Sequence, residues 1–578
     1  MNHSICLTSM QVPGSNRWRL LTRIRCYWDG WRLATGAVAL TVVLPLVVIF
    51  SYFLHPEQEI WRHLVDNLLG SLLKNTAVLV AGVITGTFLL GVSLAWLTGV
   101  CEFPGRKVFS WALLLPMAMP TYVLAFVTLG LFDYSGPVQS FLRDLSPSHR
   151  IWFPNIRSAG GVIAVMSLAL YPYVYLLARS AFKTQGKRAM EAARSLGYTP
   201  LAAFFKVALP MARPWIAAGL MLVLMEALAD FGAVSIFNYD TFTTAIYKAW
   251  FGFFSLSAAA QLSALLVIIV LAVIVVEQKM RAKMRFGQSG RMSLETGKIN
   301  ITGWRRWMAA VFALAIVLIA FVIPFGQLLI WSAQIFVEEF TVGYLGLLSR
   351  SLMFAVIATG VIGGCALLLA YTQRRHADIS TNWLVRISTL GYALPGTVLA
   401  VGIFIVISYV DNLLIYLLRI VSGYDAGPLI QGTIFIVIAA YMVRFMAAGF
   451  SAIGSAMHRL TPNLDEAAIS MGVTGVSLLR RVHAPILKSG ILTASMLVFV
   501  DVMKEMPITL MTRPFGWDTL AVKIFELTSE GEWERAALPA VALVLGGLLP
   551  VIFLSRQGED HAVIKRSAAY RKLKWKVF

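Results

Sequence analysis

Runs of about 20 apolar residues, each the length of a membrane-crossing helix, recur through this chain and leave it few ways to fold. About twelve such runs fit within 578 residues when the loops between them are short. Hydrophobic residues make up 58 % of the chain and charged residues 13 %, and the mean hydropathy is +0.74, so an all-α integral membrane protein is expected. A net charge of +20 could suggest a nucleic-acid partner. The Lys and Arg residues gather in alternate loops instead, which is the signature of the positive-inside rule. Cys6, Cys26, Cys101 and Cys365 lack metal-ligand spacing, and three fall in segments assigned to the cytoplasm, so no disulfide framework is expected.

In chain order, a basic tail over 1–31 precedes an apolar run from Trp31 to Leu54. That run is long enough to span and is followed by no small-residue cleavage site, which places the N-terminus inside. The second span ends near Gly99, the third contains Pro116 and Pro120, and the fourth covers about 159–182. A fifth covers about 214–237 and a sixth ends near Val276. The stretch 277–307, with Lys279, Arg281, Lys283, Arg285, Arg291, Lys298, Arg305 and Arg306 among Gly and Ser, reads as a cytoplasmic linker. Further spans are expected near 308–332, 351–372, 385–410, 430–450, 489–512 and 536–555, before a basic tail that ends inside.

The two sets of six repeat. Glu191 and Glu466, Pro210 and Pro485, and Pro120 and Pro395 are each separated by 275 positions. Six is an even number of spans, so the halves 1–290 and 291–578 run parallel. The expectation is two six-helix repeats related by a pseudo-twofold along the membrane normal.

The most informative repeated piece is a loop. EAARSLGYTPLAAFFKVALP runs from Glu191 to Pro210 and EAAISMGVTGVSLLRRVHAP from Glu466 to Pro485. Each has Glu-Ala-Ala, a Gly, and a closing Pro at the same spacing. Glu191, Ala192 and Ala193 end a short helix of small residues that a partner can approach closely. Gly197 suits the left-handed residue after a helix end, and Thr199 with Pro200 suits the start of a second helix. That helix is expected to stop near Ala208, because the residue before Pro210 is biased out of the α region.

This doubled pattern resembles the signature loop of binding-protein-dependent ABC importer permeases, and the resemblance covers nearly the whole chain. It implies that Glu191, Ala192, Ala193, Gly197 and Pro210, with Glu466, Ala467, Ala468, Gly472 and Pro485, form loops that dock on a separate ABC ATPase, with two copies expected. It also implies an extracytoplasmic binding protein and a bacterial inner membrane; the basic loops, which recur at alternate turns, place both termini in the cytoplasm. Ala484 departs from the pattern, where Leu is usual before the Pro. No G-x-x-x-x-G-K-[ST] occurs in the chain, so no ATP or other cofactor is expected on this subunit, and no catalytic or metal constellation stands out.

Four acidic residues fall inside expected spans: Glu226 and Asp230 in the fifth, Asp501 and Glu505 in the eleventh. Each pair is spaced i,i+4, on one helix face, and the pairs share the 275 offset. Charges at mid-bilayer cost about 2.5–3.5 kcal/mol and usually face a bundle interior or water, so these line a candidate pathway. The structural alternative pairs them with Lys504 or Arg444. Tyr171, Tyr173 and Tyr175 are a second candidate lining group, with an interfacial belt the preferred reading, and His483 is read as a surface residue.

For the substrate, Met225–Gly252 and Asp501–Glu526 resemble the two halves of fused ferric-iron permeases. Oxygen donors suit a hard cation such as Fe(III). A polyamine would fit the same argument, and fused relatives for thiamine and aminoethylphosphonate share the architecture. A twelve-span secondary transporter is the remote alternative.

Overall fold

The computed structural model describes residues 29–54, 61–62, 64–145, 153–186, 193, 195–283, 299–423 and 427–549. Glu191 and Ala192, residues 284–298 of the linker and the basic tails lie outside them.

Among the described residues, nine helices are long and apolar enough to cross a membrane: α1 (Gly30–Leu54), α2 (Leu64–Val100), α5 (Ala159–Thr184), α6 (Phe204–Ala229), α7 (Leu256–Lys279), α8 (Arg305–Glu339), α9 (Val342–Arg375), α10 (Gly396–Ser422) and α11 (Ile434–Met457). Two bent pairs raise the number to eleven: α3 (Arg106–Ala118) with α4 (Thr121–Leu145), at 92°, and α12 (Gly475–Ile486) with α13 (Lys488–Lys504), at 81°. A final helix, α14 (533–549), stands at the position of the twelfth expected span and runs to the edge of the described residues.

The third expected span is therefore a broken one. Pro116 sits at the start of a 3-10 turn over Leu115–Ala118, and α4 starts afresh after Pro120. The fifth also ends earlier than its hydropathy suggests, because α6 stops at Ala229 and a short helix, Gly232–Ile236, follows. Breaks of this kind leave carbonyls without helical partners, and inside a membrane other side chains must satisfy them. Lys504 Nζ donates to Met117 O at 2.9 Å, Tyr171 Oη to Leu113 O at 2.9 Å, and Arg444 to Leu394 O at the matching break before α10.

Two compact units form, and each mixes segments of both sequence repeats. The first lies within Met1–Val48, Phe354–Leu394 and Gly402–Val502. The second lies within Ile49–Met353, Pro395–Val401 and Met503–Phe578. In the second unit, α2 packs on α5 through small residues: a Cβ on Gly82, Gly86 or Gly91 would lie 2.5 Å from Ile163, 2.3 Å from Ser167 or 2.7 Å from Val174. Close backbone approach of this kind drives helix association where lipid removes the usual hydrophobic force. In the first unit the small residue sits on the other partner, where Gly449 of α11 faces Ile362 and Ala366 of α9. One strand pair, Cys101–Glu102 parallel to Ile299–Asn300, interrupts the all-helical pattern.

Candidate functional site

The two signature loops share the hydrogen bond that closes their first helix. Tyr198 N donates to Ala193 O at 3.0 Å, and at the equivalent place Val473 N donates to Ala468 O at 2.9 Å. Gly472 N also donates to Ile469 O at 2.9 Å. Gly197 and Gly472 have φ of 80° and 79°. These are the bonds and the left-handed residue of a Schellman helix end. Thr199 Oγ1 then accepts from Ala202 N at 3.3 Å, so the expected cap is present.

The helix after the cap does not stop at Ala208. Each loop instead widens into one π turn, Phe204–Ala208 and Leu479–His483, directly before Pro210 or Pro485. An i→i+5 turn frees the carbonyl that the proline ring would otherwise strike, and lets the helix pass through. The paths then part. The first loop continues into α6, whereas the second breaks at Leu487, where α12 and α13 meet at 81°.

Ala193 and Ala468 are buried under their loops, while Glu466, Ala467, Gly472 and Pro485 are exposed. A Cβ on Gly197 or Gly472 would meet nothing within 4 Å. Large apolar side chains point outward beside them: Leu196 is 77 % exposed and Met471 74 %, with Phe205, Ile469 and Val476 also exposed. Each loop thus presents an apolar, small-residue face.

The anchors underneath differ. Below the first loop, Trp96 stacks edge-on against Phe182 and Phe204, with centroids 5.2 and 4.7 Å apart. Below the second, Asp465 binds Arg374 Nε at 2.7 Å and His483 Nε2 at 2.7 Å. His483 is 1 % exposed, which corrects its reading as a surface residue: a hydrogen-bonded carboxylate compensates the burial of its ring. Burial pushes the Asp465 carboxyl up, but the hydrogen bonds from Arg374 and His483 outweigh it and hold the group below its ordinary 3.8. The nearby N-terminal segment is tied down by similar means, through Asp29 to His376 at 2.9 Å and Arg32 to Asp378 at 3.0 Å. Burial raises Asp378 too, and the hydroxyls of Ser380 and Thr381 with the Arg32 charge bring it down to about 2.

The acidic residues divide into two kinds. Asp230 Oδ1 accepts from Ala233 N at 2.9 Å and Val234 N at 3.3 Å, and Oδ2 accepts from Thr121 Oγ1 at 2.5 Å. At the equivalent place Glu505 Oε1 accepts from Ile508 N at 3.1 Å. Both carboxylates therefore cap the short helix after a broken span. Position 396, equivalent to Thr121, is Gly, and a Cβ there would lie 2.8 Å from Glu505 Oε1. The longer acid is matched by the smaller neighbour. Glu226 and Asp501, one turn earlier, are half-buried; Asp501 belongs to the first unit, and Glu226, Asp230 and Glu505 to the second. Tyr171 and Tyr175 are fully buried, not an interfacial belt, because their hydroxyls find internal carbonyls at Leu113 and Ser110. Among the described residues no three His, Cys, Asp or Glu side chains gather as a metal site.

Comparison with known proteins agrees with this geometry. Residues 88–278 match the family described as binding-protein-dependent transport system inner membrane component. The Fe(3+)-transport system permease protein FbpB 2 of Haemophilus influenzae is 27 % identical over 527 residues, covering 89 % of this chain and 96 % of that protein. The ferric transport system permease protein FbpB of Actinobacillus pleuropneumoniae is 24 % identical over 546 residues, 89 % of this chain and 75 % of its own. A putative 2-aminoethylphosphonate transport system permease protein, PhnV of Salmonella typhimurium, is 28 % identical over 266 residues, which is 94 % of that protein and 43 % of this chain.

Proposed function

Because the chain belongs to the inner-membrane components of binding-protein-dependent transport systems, we propose that it alone builds the two-halved pathway of an ATP-driven ferric-iron importer. The family supplies the transmembrane component of an ABC importer, with ATP hydrolysed on a separate subunit and substrate delivered by a binding protein. In our reading the halves 1–290 and 291–578 each contribute one docking loop, 191–210 and 466–485, so two ATPase copies bind, and both termini lie in the cytoplasm. The observation that carries this is the matched pair of loops, with the same Schellman bond across the left-handed glycine, the same π turn and the same outward apolar face. A half-length relative that aligns over 43 % of the chain supports the division into halves.

Iron as substrate is supported by the similarity to ferric-transport permeases that align along 89 % of the chain. The aminoethylphosphonate relative supports a second reading. Of the acidic residues, we assign Glu226 and Asp501 to the pathway and Asp230 and Glu505 to holding the helix ends beside it. The test is uptake by cells that depend on this permease together with its ATPase and binding protein. ATP-dependent accumulation of iron(III) that 2-aminoethylphosphonate does not compete supports the assignment. Accumulation of the phosphonate without iron uptake would replace it with the second reading.

A further inference from the structure

The second loop holds a charged constellation that the first lacks. Asp465 immediately precedes Glu466 in the helix Pro462–Ser470. Its Oδ2 meets Arg374 Nε and its Oδ1 meets His483 Nε2, each at 2.7 Å. The same guanidinium donates to Met457 O at 3.2 Å, Leu460 O at 3.0 Å and Thr461 O at 3.1 Å. Arg374 thus gathers the exposed carbonyls at the end of α11 and the carboxylate of the docking helix onto the end of α9. His483, in the π turn of α12, closes the arrangement from the far side of the loop, its ring 5.7 Å from that of Tyr371.

The protonation pattern follows from the partners. An ionised carboxylate only accepts, so Nε2 of His483 carries the proton that points at Asp465. Nδ1 is buried and has no partner among the described residues, so the contact with Asp465 is the polar tie that orients this ring. In the first repeat the three equivalent positions are Gly99, Met190 and Ala208. All three polar groups are missing together, as expected of one device and not of three independent contacts.

We propose that Arg374, Asp465 and His483 form a clasp that positions the second docking helix and transmits its displacement to α9 and α11. This rests on the reading that the 466–485 loop meets the ATPase. The three are positioning residues: displacement of the docking helix pulls on Asp465, and through it on the ends of two membrane helices and on the helix after the loop. Without the clasp the loop still docks, but its motion is no longer carried stoichiometrically into the membrane.

The experiment uses the full chain reconstituted with its ATPase and binding protein, and reads iron(III) imported per ATP hydrolysed. His483→Phe keeps a ring against Tyr371 but removes the donor to Asp465, and Asp465→Asn removes the charge that Arg374 meets. Each should raise ATP consumed per ion imported by about threefold or more, while the amount of ATPase that co-purifies stays unchanged. His483→Gln, which returns an N–H donor, should recover most of the loss. An unchanged ratio in both His483→Phe and Asp465→Asn overturns the clasp, including the case where yield and uptake fall in parallel. Gly472→Val separates this from the docking reading. If that variant binds and couples the ATPase as the wild type does, docking itself fails; if it loses the ATPase while the clasp variants couple normally, only the clasp fails.

Discussion

The loops at 191–210 and 466–485 share one backbone and rest on opposite chemistries. An edge-on aromatic cluster of Trp96, Phe182 and Phe204 lies beneath the first, and the Arg374–Asp465–His483 network beneath the second. What both retain is the left-handed glycine, the buried alanine and the π turn before the proline. The comparison teaches that the outward geometry is the constrained feature, and that the support beneath it is free to be apolar or ionic. The same lesson recurs elsewhere in the repeat. Gly91 against Val174 becomes Ala366 against Gly449, and Asp230 beside Thr121 becomes Glu505 beside Gly396. In each case one side grows where the other shrinks.

The strongest break of this comparison is to spoil the shared feature. Valine in the left-handed region costs roughly 1–2 kcal/mol per site, and neither glycine faces a neighbour, so the effect is on backbone conformation alone. Gly197→Val with Gly472→Val should abolish uptake and ATPase association while membrane insertion stays normal, read by co-purification and transport. Next comes the anchor under each loop. Trp96 is half-buried, so Trp96→Ala should cost less than the ~3–5 kcal/mol of a fully buried Trp and loosen the first loop alone. Arg374→Ala should loosen the second loop alone. Hydrogen exchange over 201–208 and 476–483 distinguishes them, and loosening of both loops by either variant would break the claim of separate anchors.

A smaller effect tests the compensated helix caps. Asp230→Glu should crowd Thr121 and cost about 1–3 kcal/mol of stability, which Thr121→Gly should recover in a double-mutant cycle. Gly396→Thr should crowd Glu505 in the same way and be relieved by Glu505→Asp. The smallest effect is that of pH. Asp465 has a lowered folded value, so its stabilisation is complete above the ordinary 3.8 and is lost as pH falls through the lower folded value. Exchange protection of the second loop should therefore drop on acidification below about pH 4, while that of the first, with no titratable group in its aromatic anchor, should not follow it.

Much of this was legible in residue order. Long apolar runs, basic loops and the 275-residue offset announce the helices and the repeat, because hydropathy and spacing are local properties. The positive φ at Gly197 and Gly472 was readable for the same reason. What spacing conceals is where polar atoms find partners. Nothing local tells a buried His483 from a surface one, since its partner Asp465 is 18 residues away and is itself held by Arg374, 91 residues from it. Asp230 and Glu505 read from spacing only as charges inside spans, because hydropathy carries the helices past Ala229 and Lys504; the break after each gives both carboxylates backbone N–H groups to accept from. One signal was available: an acid two residues before the first residue of a new helix, at both sites. Pro210 misled in the opposite direction, because a single π turn absorbs it.

The most direct test of the central claim, that two equivalent loops meet the ATPase, is site-directed cross-linking. Leu196→Cys and Met471→Cys would each be placed on a chain whose Cys6, Cys26, Cys101 and Cys365 are replaced by Ser, and assembled with the ATPase subunit. Both positions are expected to cross-link to the ATPase, and neither to be labelled from outside the cell by an impermeant thiol reagent. Labelling of either from outside, or cross-linking at one loop only, would contradict the claim.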